Sequence, residues 1–322
     1  MHSLLLTITI LAASSTIAGP APTLNIDTQR ITVSGISAGG QMAHQMHFAY
    51  SDLFNGAAII AGGPFGCADG SLATAMARCM GKSDENFPVA EQAAAIRSAA
   101  GDGRLAVTQA LADDPVWLFH GKLDSTVAAG VSDALAALYA EFVPAAQIRY
   151  ITDVEAGHSF PARGSGHDCN AFQPPFVADC DYDAAGELLQ HLYTELTPPG
   201  SGSEMALTAV SLPGAEKAGM SESAYLYIPA MCTGGEQACA LHLVLHGCAQ
   251  SAVQVGTGFI EQSGYLPWAE ANGIVLAFPQ VIPGPANPYA CWDWWGYTGP
   301  DYRWRNGAQM KVLADWVQSL VN

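Results

Sequence analysis

Near its front the chain carries a Gly-x-Ser-x-Gly pentapeptide, Gly35-Ile36-Ser37-Ala38-Gly39. A β-branched run, Ile31-Thr32-Val33, leads into it, and residues 41–50 have helical character. A strand that turns directly into a helix over a serine is a nucleophile elbow, and no other stretch restricts the fold as much. The turn is so sharp that its flanks must be small, hence Gly35, Ala38, Gly39 and Gly40. It lifts the Ser37 hydroxyl above the sheet and sets the free N–H groups of a helix start beneath it.

Two further residues complete the chemistry. Residues 115–121 read as a short buried strand with Asp124 just past its end, and residues 147–154 read as another, followed by a loop holding His158. A serine hydroxyl is a poor nucleophile until a base takes its proton. His158 is the candidate base, and Asp124 the acid that would hold the imidazole in the right tautomer. Asp113 and Asp114 precede their strand and so lie at its wrong end. His120 reads as structural, and His246, ahead of Gly247-Cys248, as part of a loop. An amphipathic helix is expected over 133–142, with Leu135, Leu138 and Phe142 on one face.

The order Ser37, Asp124, His158 is that of the α/β-hydrolase fold, in which the nucleophile follows the fifth strand. Only 36 residues precede Ser37, too few for four strands. Four strand-like runs appear late instead, at 206–212, 224–229, 241–246 and 273–279. The third ends in His246-Gly247-Cys248, which has the composition of an oxyanion loop. The expected fold class is therefore a circularly permuted α/β hydrolase, a mostly parallel sheet with helices on both faces. Residues 19–322 would form one domain, with the Pro/Gly/Ser-rich stretch 197–205 joining what are normally the two ends. Two separate domains would leave long unpaired sheet edges. The oxyanion donors would be the amides of Ala38 and Cys248.

Composition narrows the partners. Half the residues are hydrophobic and 13% are charged, so the chain is globular. A formal charge of −17 argues against nucleic acid or an anionic membrane surface as partner and favours a neutral substrate. Residues 1–18 read as a secretory signal peptide, an apolar region from Leu4 to Ala13 followed by a small-x-small cleavage site, Thr16-Ile17-Ala18, although the segment lacks Lys and Arg. The eight cysteines, Cys67, Cys79, Cys169, Cys180, Cys232, Cys239, Cys248 and Cys291, fit disulfides in an exported chain. On the order of a hundred pairings are open, and 67–79, 169–180, 232–239 and 248–291 make the simplest set. No CxxC and no zinc-like histidine spacing occurs, so neither a metal nor a cofactor is expected.

One stretch, Cys291-Trp292-Asp293-Trp294-Trp295-Gly296-Tyr297, continued by Tyr302-Arg303-Trp304, holds more aromatics than one core strand can bury. Some should face an apolar ligand.

These residues together resemble the fungal-type, single-domain extracellular poly(3-hydroxybutyrate) depolymerases. The resemblance runs through Val33–Gly40, Ala61-Gly62-Gly63-Pro64, Asp124-Ser125-Thr126-Val127, Gly157-His158-Ser159-Phe160-Pro161, Cys180-Asp181-Tyr182-Asp183, Leu245-His246-Gly247-Cys248 and Asn287-Pro288, and takes in all eight cysteines. It implies Ser37 as nucleophile, Asp124 as acid, His158 as base, oxyanion amides at Ala38 and Cys248, and a tryptophan of the Trp292–Trp294 motif beside the scissile ester. It also implies a secreted, monomeric serine esterase that takes a single polyester strand and adsorbs through surface side chains. Trp295 and Tyr297 stand where the family carries a Val and a Trp, the segment before Asn287 is shorter, and Trp304-Arg305-Asn306 is unlike it. A feruloyl or acetyl esterase acting on plant-wall esters would use the same elbow, and a non-catalytic polyester- or glycan-binding protein is a third possibility.

Overall fold

The computed structural model describes residues 18–81, 87–200 and 206–321. The expected signal peptide at 1–18 falls almost wholly outside them, as does the 201–205 part of the joining segment. The strands are β1 (Ile26–Ile36), β2 (Ala57–Ile60), β3 (Val116–Phe119), β4 (Ile148–Ile151), β5 (Phe160–Ala162), β6 (His167–Asp168), β7 (Val177–Asp179), β8 (Leu207–Ser211), β9 (Ser223–Tyr227), β10 (Cys239–Leu245) and β11 (Ile274–Phe278). The larger helices are α1 (Ala38–Ala49), α2 (Val89–Gly101), α3 (Ala129–Tyr139), α4 (Ala184–Leu192), α5 (Tyr265–Asn272) and α6 (Ala308–Val321).

One eight-stranded sheet runs in the order β4-β3-β2-β1-β10-β11-β9-β8. The nucleophile strand β1 lies between β2 and β10, parallel to both, so the front and rear of the chain share one sheet. Gly35 pairs with Leu245, which brings the elbow beside the end of β10. Only β9 runs against the rest, so its pairings with β11 and β8 at one side are antiparallel. Parallel strands are covered on both faces and read as continuous apolar runs. Here Val116–Phe119 and Ile274–Phe278 are buried throughout. Helices α1, α2, α3 and α6 pack on one face and α4 and α5 on the other. Among the described residues no helix is long and apolar enough to cross a membrane.

A buried polar thread ties the two parts of the chain. His242 of β10 sits between Thr32 Oγ1 at 2.6 Å and Ser34 Oγ at 2.7 Å on β1. Tyr193, just past the end of α4, and Tyr265 of α5 close its ends. Burial pushes His242 down to about 3, so the ring is neutral and bonds as a plain donor and acceptor.

Two differences from the sequence reading have local causes. β1 starts five residues earlier than Ile31, and its first half, with exposed Thr28 and Gln29, gave no apolar signal. The helix expected over 133–142 occupies 129–139, and Phe142 packs from the following turn against Phe48. Pro144 restrains the residue before it from continuing the helix. The joining segment is anchored at its start, where Asn272 accepts from Thr197 N–H at 2.7 Å and donates to its carbonyl at 2.9 Å.

Candidate active site

The elbow is strained and tightly sterically defined. Ser37 has φ 56° and ψ −119°, a left-handed conformation that costs a non-glycine residue of order 1–3 kcal/mol. A Cβ on Gly35 would lie 2.2 Å from Gly39 O, and one on Gly39 would lie 2.2 Å from Leu245 O. Only glycine fits at both positions. Ser37 N–H donates to Ile60 O at 2.8 Å, locking the turn onto β2.

The three sequence-predicted residues meet above the sheet. His158 Nε2 is 2.9 Å from Ser37 Oγ, and its Nδ1 is 2.7 Å from Asp124 Oδ2. The other Asp124 oxygen accepts the amides of Thr126 at 2.8 Å and Val127 at 2.9 Å. Burial pushes the Asp124 carboxyl up, but the hydrogen bond and charge of His158 and these two amides outweigh it, leaving its pKa lowered. The His158 loop is held by a three-stranded sheet, β5-β7-β6, and by the Cys169–Cys180 disulfide. The disulfide is one of the pairs that the sequence suggested, but strands of two or three residues leave no periodicity to read, so the small sheet was not visible there.

The cysteines pair as Cys67–Cys79, Cys169–Cys180, Cys232–Cys239 and Cys248–Cys291. The last joins the loop after β10 to the aromatic stretch, across a separation of 43 residues. In that loop Gly247 N–H donates to Gln250 Oε1 and Ala249 N–H to Tyr289 O. Ala38 and Cys248 both line the cleft over Ser37. The alternatives set aside in the sequence are engaged elsewhere. Asp114 bonds His47 at 3.1 Å, and His120 Nε2 lies 3.0 Å from Val127 O.

The cleft holds about 460 Å³, and Ile36, Val127, Phe172, Phe176, Trp294 and Trp295 give it an apolar lining. Several large apolar residues along it are open to solvent, Leu72 at 53%, Phe172 at 63% and Tyr289 at 64%. Trp294 is in the cleft as expected, but Trp292 is a correction: it is fully buried and packs on His246, with ring centroids 5.3 Å apart. Asn287 explains why, since its side chain brackets both backbone groups of Cys291 and turns the next ring inward. The neighbouring carboxylate of Asp293 accepts the amides of Gly296, Tyr297 and Thr298, which sets the turn presenting Trp294 and Trp295. Trp295, Phe172 and Tyr289 were missed as lining residues; the aromatic run signalled the first, and nothing in the sequence signalled the other two. Trp304, expected near the cleft, packs on Phe65 between Arg104 and Arg303, 4.6 and 4.8 Å from their guanidinium carbons.

The two indoles should therefore separate by assay. Trp292→Ala should lower unfolding free energy by about 3–5 kcal/mol in denaturant melts. Trp294, half-buried against the core but lining the cleft, should on substitution by Ala cost less stability than Trp292→Ala and raise KM for an apolar ester.

A serine at a strained strand-to-helix turn, bonded through histidine to a carboxylate over a mostly parallel sheet, is the architecture of the α/β serine hydrolases. No family model matches the chain. It is 39% identical over 306 residues to a poly(3-hydroxybutyrate) depolymerase of Delftia acidovorans, covering 92% of this chain but only 61% of that protein. It is 33% identical over 332 residues to a polyhydroxybutyrate depolymerase of Talaromyces funiculosus, covering 97% of this chain and 95% of that one. A solved structure of a PHB depolymerase, a serine-to-alanine variant complexed with an R3HB trimer, matches with TM-score 0.87 and 31% identity over 95% of this chain and 99% of its own. The chain belongs to the poly(3-hydroxybutyrate) depolymerase family.

Proposed function

We propose that the chain is a secreted serine esterase that hydrolyses poly(3-hydroxybutyrate) or a related polyhydroxyalkanoate through an acyl-enzyme. The observation that carries this is the unbroken run from Ser37 Oγ in an apolar cleft through His158 to the buried Asp124 side chain behind it. Ser37 Oγ attacks the ester carbonyl as its proton passes to His158 Nε2. Asp124 stabilises the imidazolium. The carbonyl oxygen takes the negative charge, facing the amides of Ala38 and Cys248. Collapse breaks the ester C–O bond, and His158 returns the proton to the departing alcohol oxygen. Water then attacks the acyl-serine by the same route and releases the acid.

The apolar lining suits a neutral polyester strand, and exposed Leu72, Phe172 and Tyr289 beside it suit adsorption to a solid polymer. Four disulfides support an oxidising compartment, as does the apolar segment ending at Ala18. The oligomeric trimer in the related structure supports oligomeric hydroxybutyrate as the bound form. Incubation with a poly(3-hydroxybutyrate) suspension should clear it and release hydroxybutyrate monomers and oligomers. Ferulate release from a model ester without clearing would replace this reading with the plant-wall alternative.

A further inference from the structure

His246 takes no part in the proton transfers above, yet it is buried directly behind the loop that carries the Cys248 amide. Its Nδ1 lies 2.7 Å from Gly247 O, and the Val281 amide reaches its Nε2 at 3.2 Å. A backbone N–H only donates and a backbone carbonyl only accepts, so the two partners select the neutral ring with its proton on Nδ1. Burial acts the same way, pushing the group down to about 4.

We infer that His246 is a positioning residue that aims the Cys248 N–H at the reacting carbonyl oxygen. The Gly247 carbonyl and the Cys248 N–H belong to one planar trans peptide and point in opposite directions. Holding the carbonyl from behind therefore sets where the N–H points in front. Donation to that carbonyl also polarises the peptide and strengthens its N–H as a donor. Among the described residues the only other group on Gly247 O is the Gln250 backbone N–H, at a weak 3.4 Å. The histidine itself cannot drift, because Trp292 covers its ring and Val281 is bridged to Met220. The Cys248–Cys291 disulfide and the Gln250 side chain hold the loop's position. His246 is the group that fixes the orientation of the peptide unit within it.

The inference rests on the reading that Ser37 attacks and that Cys248 N–H receives the oxyanion. It is tested with a soluble activated ester, p-nitrophenyl butyrate, and with an alkyl trifluoromethyl ketone that binds serine hydrolases as a tetrahedral oxyanion. In His246→Asn the amide nitrogen takes the place of Nδ1; in His246→Gln it takes the place of Nε2. His246→Leu should lower kcat roughly 10²-fold, about the loss of one oxyanion donor, with KM within about twofold. The ketone should weaken by a similar factor. His246→Asn should recover at least about tenfold of the loss, and His246→Gln should not. Wild-type kcat and ketone affinity in His246→Leu would overturn the inference, and so would equal activity of the Asn and Gln variants. Should the Leu variant not fold, the Asn and Gln pair decides alone. Hydrolysis of the same ester by Ser37→Ala would instead overturn the assignment of the nucleophile.

Discussion

Ser37→Ala should lower turnover by about 10⁶-fold, the scale of loss when a triad nucleophile is removed. The hydroxyl is 2.9 Å from the base, at a backbone conformation adopted for that one side chain. The substitution removes a single oxygen, so the melting profile should change little. Adsorption to a poly(3-hydroxybutyrate) film should also survive, because Leu72, Phe172 and Tyr289 remain exposed beside the cleft. Film binding by depletion and product release by titration check both halves. Normal hydrolysis by the variant would remove the basis of the proposed mechanism.

Asp124→Asn should cost about 10⁴-fold in kcat while leaving the fold intact. The hydrogen bonds give the reason. Two amides, of Thr126 and Val127, donate to Oδ1, so the asparagine carbonyl must occupy that position. Its NH₂ group then faces His158 Nδ1, which can only respond by accepting. The imidazole proton moves to Nε2, toward Ser37, and the base can no longer take the hydroxyl proton. Stability should shift with pH in the matching sense. A carboxyl held below its unfolded value contributes stability above about pH 4, and that contribution is lost as pH falls through the folded value. The asparagine variant should lack this part of the acid sensitivity in melts recorded across that range.

How far the residues announced all this depends on how local each signal was. The elbow was legible because sterics at Gly35 and Gly39 admit no other residue and the strand and helix adjoin it in sequence. The four late strands were legible as apolar runs, and chain order with the short lead before Ser37 required them to pair with the front. Side-chain direction was not legible. Trp292 and Trp294 are two residues apart in one aromatic run, and what separates buried from lining is Asn287 gripping Cys291, a contact that spacing does not encode. Phe172 and Tyr289 lie in irregular loops placed by β5, β6, β7 and a disulfide, where no period exists to read. His246 looked like an ordinary loop residue because its partners, Gly247 and Val281, are backbone groups.

The permuted sheet has a consequence for how the molecule comes into being. β1 is made early, yet its partner β10 follows 210 residues later, as the Thr32–His242 pair measures. Such non-local parallel pairing must meet its loop-closure cost before any of it is rewarded, which slows folding. A ribosome that has released the elbow and both its partner side chains has still made no working enzyme, because β10, the strand beside the elbow, and the Cys248 loop that follows it arrive only late in synthesis. Premature termination between α4 and β10 yields a chain with its nucleophile present and its catalytic power withheld.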